Sequence, residues 1–93
     1  MVSEGVTRTP LRAEPGEKRV LIKIGPGRTF PQHSHNTPDE VFVVAGTYCD
    51  PGVENGRAFP AGSCLYYPPG TEHRAGSPVG SGGCTILGWN AGK

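Results

Sequence analysis

Helix breakers recur so often along this chain that long helices are hard to place in it. Fifteen glycines and ten prolines are spread over 93 residues, and many fall as punctuation: GPG at 25–27, PPG at 68–70 and SPVGSGG at 77–83. Glycine costs a helix interior about 1 kcal/mol and proline about 3 kcal/mol relative to alanine. What lies between the breaks is a series of short apolar blocks bounded by turn residues: RVLIKI (19–24), DEVFVVA (39–45), SCLYY (63–67) and CTILGW (84–89). Shorter extended stretches fit at 29–35, 47–50 and 72–75, with Pro31 pushing part of the first to an edge or a bulge. About seven or eight short strands at near-regular spacing predict an all-β sandwich or barrel.

The length suits one small domain. The first seventeen residues, MVSEGVTRTPLRAEPGE, are polar and broken by prolines. They read as an extended N-terminal arm (1–17), leaving 18–93 for the β-barrel domain. Nine basic against eight acidic residues give a net charge of +1. Lysine and arginine are scattered, with only Lys18 and Arg19 adjacent, so neither nucleic acid nor a membrane surface is an expected partner. Residues 1–10 have no apolar core of the signal-peptide kind, and no window approaches transmembrane length. Cys49, Cys64 and Cys84 are an odd set, so at least one thiol stays unpaired within the chain. A cytoplasmic protein with reduced cysteines is the expectation, each cysteine packing as a small apolar side chain.

The chain has three histidines: His33, His35 and His73. On a strand, residues two apart share a face, so His33 and His35 project side by side. The turn at 36–38 brings the next strand back antiparallel and places Asp39 or Glu40 near them. A second hairpin at PPGTEH delivers His73 toward the same space. An HxH pair alone is equally the signature of a polar strand face, so its meaning rests on the wider pattern.

That pattern runs from Gly27 through five residues to His33-Ser34-His35, three more to Asp39 and six more to Gly46. It resembles the first signature motif of the cupin family. Gly62, five residues, Pro68-Pro69-Gly70, two residues and His73 resemble the second, and the fifteen residues between Gly46 and Gly62 resemble the spacer of small bacterial cupins. The run DEVFVVAGTYCD…FPAGSCLYYPPGTEH is most similar to the ChrR-like group, which includes the cupin domain of zinc-dependent anti-sigma factors and some small dioxygenases.

The resemblance implies a cupin double-stranded β-helix, a jelly-roll barrel, holding one divalent metal ion. Carried over, the ligands are His33, His35, Asp39 and His73. The family acid is usually glutamate, and here Asp39 occupies its place with Glu40 next door. Strand parity sets Asp39 with Val41 and Val43 and Glu40 on the opposite side. The spacing to Gly46 favours Asp39, a bulge after Pro38 would favour Glu40, and a three-histidine site would use neither. Ser77 stands where the second motif usually has asparagine. Imidazole and carboxylate donors suit Zn, Fe, Ni or Mn.

Phe30, Phe42, Tyr48, Tyr66, Tyr67 and Trp89 are candidates to line the barrel, with one of Tyr66 and Tyr67 facing inward. Arg28 and Arg57 read as solvated. The implied function is a metal-dependent enzyme such as an Fe(II) dioxygenase acting on a small polar substrate. The alternatives are a non-catalytic zinc-binding sensor and a barrel binding a small ligand such as a sugar. Small cupins pair as homodimers through a sheet edge or an exchanged N-terminal strand, a role the 1–17 arm could serve.

Overall fold

The computed structural model describes residues 4–14, 16–30, 33–34 and 38–90, with residues 13, 33 and 34 described by their backbone alone. Among them there is no helix. Eight strands appear in chain order: β1 (Val6–Glu14), β2 (Glu17–Ile24), β3 (His33–Ser34), β4 (Asp39–Tyr48), β5 (Phe59–Pro60), β6 (Cys64–Tyr67), β7 (Glu72–His73) and β8 (Cys84–Asn90). All described pairings are antiparallel. The main sheet runs β1-β2-β8-β4, with β6 and β5 both paired to β4, and β3 and β7 form a small second sheet.

Each long strand reads as an alternation that one buried face dictates. In β4, Asp39, Val41 and Val43 are buried while Glu40, Phe42 and Val44 are exposed, and in β6 Leu65 and Tyr67 are buried while Cys64 and Tyr66 are exposed. Ile22 and Ile24 of β2 and Cys84 and Ile86 of β8 complete the inner face, together with Val6 and Tyr48. Burying each Val or Ile side chain contributes about 1.5–3 kcal/mol. These few residues are therefore the main drive for closing the sheet over its inner face.

The stretch expected as an extended arm contains strand β1. Its register with β2 runs from Val6 opposite Ile24 to Glu14 opposite Glu17, with a bulge between Pro10 and Arg12. Its side chains are mostly polar or exposed because it is an edge strand whose one fully buried apolar residue among those described is Val6. Pro10, which lacks an N–H, sits beside the irregularity, where a missing donor costs least.

A second bulge lies in β4. The register with β8 shifts between Val43 and Ala45, so that Val44 has no cross-strand partner of its own. Before the shift the odd-numbered residues face inward; after it, Gly46 lies opposite buried Cys84, and Tyr48 faces inward. Gly46 has φ 79°, and a Cβ there would lie 2.1 Å from the Gly83 carbonyl oxygen. No other residue fits this crossing without moving β8.

Beyond β4 the chain is stitched to the small sheet. Cys49 and Gly76 exchange both backbone hydrogen bonds (2.9 and 2.8 Å), and the Phe30 N–H donates to the Ala75 carbonyl at 2.7 Å. Gly76 runs between Thr29 and Cys49. The end of β4, the segment after β7 and the segment before β3 are thereby held side by side.

Candidate functional site

Asp39 opens β4 on the inner face. In the register it lies between Asn90 of β8 and Tyr67 of β6, so the three share one row. Asn90 donates from its side-chain amide to Asp39 Oδ1. Asp39 Oδ2 lies 3.1 Å from His73 Nε2. Each of the two residues is only 6% exposed. Burying a carboxylate against an imidazole is costly unless both find further partners, and removing one of such a pair typically costs about 3–5 kcal/mol.

His73 is held from its other side. Its ring stacks on Tyr67 with centroids 4.0 Å apart and planes at 25°. The Tyr67 hydroxyl donates to Asp50 Oδ2 at 2.8 Å. A carboxylate only accepts, so Tyr67's one proton is committed and Tyr48, 2.7 Å away, donates to the Tyr67 oxygen. Asp50 also accepts from the backbone N–H of Arg74 at 2.9 Å and, through Oδ1, from that of Gly52 at 2.9 Å. One carboxylate, 1% exposed, thus fixes the end of β4, the ring beneath His73 and the residue after His73. Burial, first of all, pushes the hydroxyls of Tyr48 and Tyr67 well above the usual phenol range, with the Asp50 charge adding to it. Both are neutral donors at any ordinary pH.

His33 lies in β3 directly opposite His73 in β7. His35, and the side chain of His33, fall outside the described residues. Glu40, the alternative acid, points away from Asp39 and His73: alternation is unbroken from Asp39 to Val43, so Glu40 is exposed on the far face. Of the expected lining aromatics, Tyr48 and Tyr67 face inward and Phe30 packs against the core, whereas Phe42 and Tyr66 face outward. Trp89 shares the outward row of Glu40 and donates to Glu17 at 2.8 Å. Ser77, in the place of the usual asparagine, is buried and donates to the Thr47 carbonyl at 2.7 Å. Arg57 pairs with Glu54 at 3.0 Å and lies over Phe59, and Arg28 is 3.5 Å from Glu4.

Two residues of the network were not singled out from sequence. Asp50 carries a weak signal, since Asp before Pro-Gly favours an Asx turn, which the bond from Gly52 closes. Asn90 carries none, being one polar residue at the end of a strand.

Two donor atoms bound about 2.1 Å from one ion at angles of 90–110° are themselves about 3.0–3.4 Å apart. The Asp39–His73 separation fits that, and one imidazole with one carboxylate is a donor set suited to a first-row divalent ion. Among the described residues no group of three or more such side chains converges.

An all-β jelly-roll with an acid and a histidine meeting inside it is the architecture of a cupin. The ChrR cupin-like domain family matches residues 1–88, and the chain belongs to that family. No curated protein matches it by sequence. Among solved structures, an RmlC-like cupin from Shewanella frigidimarina NCIMB 400 superimposes with a TM-score of 0.84 at 22% identity, over 100% of this chain and 81% of that one. A chain in the structure of Rhodobacter sphaeroides SigE in complex with the anti-sigma ChrR gives 0.81 at 22%, over 97% of this chain and 46% of that one. The polyketide cyclase RemF from Streptomyces resistomycificus gives 0.81 at 17%, over 99% and 68%. At these identities the likeness establishes the fold. No helix among the described residues is long and apolar enough to cross a membrane.

Proposed function

We propose that this cupin binds one divalent metal ion through His33, His35, Asp39 and His73 and uses it on a small polar substrate. The observation that carries the reading is the buried Asp39–His73 pair, 3.1 Å apart, with His33 in register opposite His73. The donor set admits Zn, Fe, Ni or Mn. When bound, such an ion supplies a Lewis-acid centre inside the barrel, and an Fe(II) dioxygenase is the enzyme class we favour. The chain's own contribution is positional. Tyr67 fixes the plane of the His73 ring, Asn90 orients the Asp39 carboxylate, and Asp50 holds Tyr67 and the Arg74 backbone.

A second reading has its own support. Membership of the ChrR cupin-like family favours a regulatory domain in which a zinc ion is structural. A barrel that binds a small ligand such as a sugar without metal is the third.

The test is metal analysis on protein purified without a metal-affinity column. About one divalent ion per chain is expected, and His73→Ala and Asp39→Ala each lose it while keeping the far-UV spectrum of the sheet. Full metal content in both variants overturns the assignment. Oxygen uptake by the Fe(II)-loaded protein with a panel of small diketones and carboxylates supports the enzyme. No uptake, with zinc held tightly, supports the regulatory domain.

A further inference from the structure

At the end of the main sheet away from Asp39, a row without side chains crosses three strands. Gly5, Gly25 and Gly83 each stand one residue outside β1, β2 and β8. They lie side by side: the Gly25 N–H donates to the Gly5 carbonyl at 2.8 Å, and a Cβ on Gly83 would lie 3.4 Å from Gly25 Cα. Two positions further along the same strands come Thr7, Lys23 and Thr85, aligned in register on the outer face. The bare row and the row beside it line an open cavity of about 510 Å³, within the range of about 300–1,000 Å³ usual for small-molecule sites.

Backbone geometry explains only some of these glycines. Gly5 and Gly83 have φ of 76° and 89°, which favour glycine. Gly25 has no such φ, and a Cβ there would meet nothing nearer than 3.4 Å, an ordinary contact. Keeping the trough open accounts for that glycine.

Charge at this end is one-sided. Lys23 is exposed and has no ion-pair partner among the described residues. Thr7 and Thr85 flank it with uncharged hydroxyls, one on each neighbouring strand about 4.8 Å away. The Arg28 side chain passes over the bare row, where a Cβ on Gly5 or Gly25 would lie 2.7 or 3.5 Å from its Cγ, and its guanidinium makes an exposed contact of 3.5 Å with Glu4. The acids of the outer face stand at its other end. Glu40 lies in the row of Arg19, four residues or about 13 Å along β2 from Lys23. Glu17, with Glu14 opposite it, is six residues or about 20 Å from Lys23, and it is held by Arg12 at 2.7 Å and Trp89 at 2.8 Å.

We propose that this trough is a binding site for a small phosphate monoester. The Lys23 ammonium supplies the charge, Thr7 and Thr85 donate to two phosphate oxygens, and Arg28 exchanges Glu4 for the third. Without a Cβ, Gly25 lets the phosphate settle against the backbone, and the rest of the molecule extends toward Ala45 and Gly46. Two cations favour a dianion over a single carboxylate. Six residues of β8, about 20 Å, separate Cys84 from Asn90 beside Asp39, so the site stands apart from the metal reading.

Amide chemical shifts of the isotope-labelled full chain test this, titrated in phosphate-free buffer at about 0.15 M ionic strength to screen diffuse attraction. Glucose-6-phosphate, with about 16 non-hydrogen atoms, is expected to bind at about 0.3 mM by the efficiency usual for small ligands, shifting the amides of Gly5, Gly25 and Gly83. Glucose, which lacks the phosphate, and glucuronate, which carries a carboxylate, bind at least about tenfold more weakly. Lys23→Gln weakens glucose-6-phosphate by about tenfold or more, and Gly25→Val, which fills the trough, removes its binding, both with unchanged far-UV spectra. His73→Ala, stripped of metal, binds it as the original chain does. The proposal is overturned if neither inorganic phosphate nor glucose-6-phosphate gives saturable shifts below about 10 mM. Equal affinity for glucuronate, or binding that survives Lys23→Gln, overturns it too. So does binding lost in His73→Ala, which would put the phosphate at the metal instead.

Discussion

Replacing Asp50 by asparagine keeps the size of the side chain and changes what its second oxygen can do. Oδ1 still accepts from the Gly52 N–H. The amide nitrogen now takes the place of Oδ2, which accepts from Tyr67 and from the Arg74 N–H. The Tyr67 hydroxyl can turn and accept from the amide, so little is lost there. The backbone donor of Arg74 cannot turn, and a buried donor facing another donor costs about 1–3 kcal/mol. The bonds that remain lose their charge assistance, about 1 kcal/mol each. Relief from burying a charge works in the opposite direction and offsets part of this.

The net is a loss of about 2–3 kcal/mol, which for a domain of this size is a fall in Tm of roughly 10–20 °C. Thermal melts followed by far-UV circular dichroism, with urea titration for the free energy, measure it. A fall of less than about 3 °C, or a rise, would show that the buried charge costs as much as its three bonds return, and the account of Asp50 as the fixing point would be refuted. Tyr67→Phe made in the Asp50→Asn background is expected to cost less than in the original chain, since the two share one bond.

Gly46→Ala forces a Cβ to 2.1 Å from the Gly83 carbonyl and 2.8 Å from Cys84 Cα at φ 79°, and is expected to cost at least about 3 kcal/mol in urea unfolding; a change within about 0.5 kcal/mol would mean that β8 yields freely. Tyr48 and Tyr67 have folded pKa values raised above the ordinary value of 10.0, so the stability they contribute is complete below pH 10 and is lost as pH rises beyond it. Their phenolate absorbance should appear together with the loss of the far-UV signal, and its appearance in an intact sheet would overturn the buried network.

What the sequence made legible was local and periodic. Asp39, Val41 and Val43 share one face because nothing interrupts the alternation there, and the same reasoning separates Tyr67 from Tyr66. Gly46 and Gly62 stood out as punctuation, and their spacing from His33, His35 and His73 led to the family. Strand β1 was not legible because an edge strand with only Val6 fully buried among its described side chains shows no apolar stripe to distinguish it from a polar arm. Asn90 meets Asp39 across 51 positions of sequence, and no local pattern reports a pairing of that range. The outward placement of Phe42, Tyr66 and Trp89 follows from the same parity that was used for Asp39. Composition alone, which treats aromatics as barrel lining, pointed the other way.

The unpaired residue at Val44 has a consequence for how the barrel holds its two buried acids. Asp39 and Asp50 are an odd number of positions apart, so a strand of perfect alternation would send them to opposite faces. The extra residue resets the phase. One continuous strand can then carry the acid that meets His73 at its start and, past its end, the acid that clamps Tyr67 beneath His73. The two carboxylates are phased by a single inserted residue rather than by a second strand, which is how so short a chain furnishes both a binding group and its support.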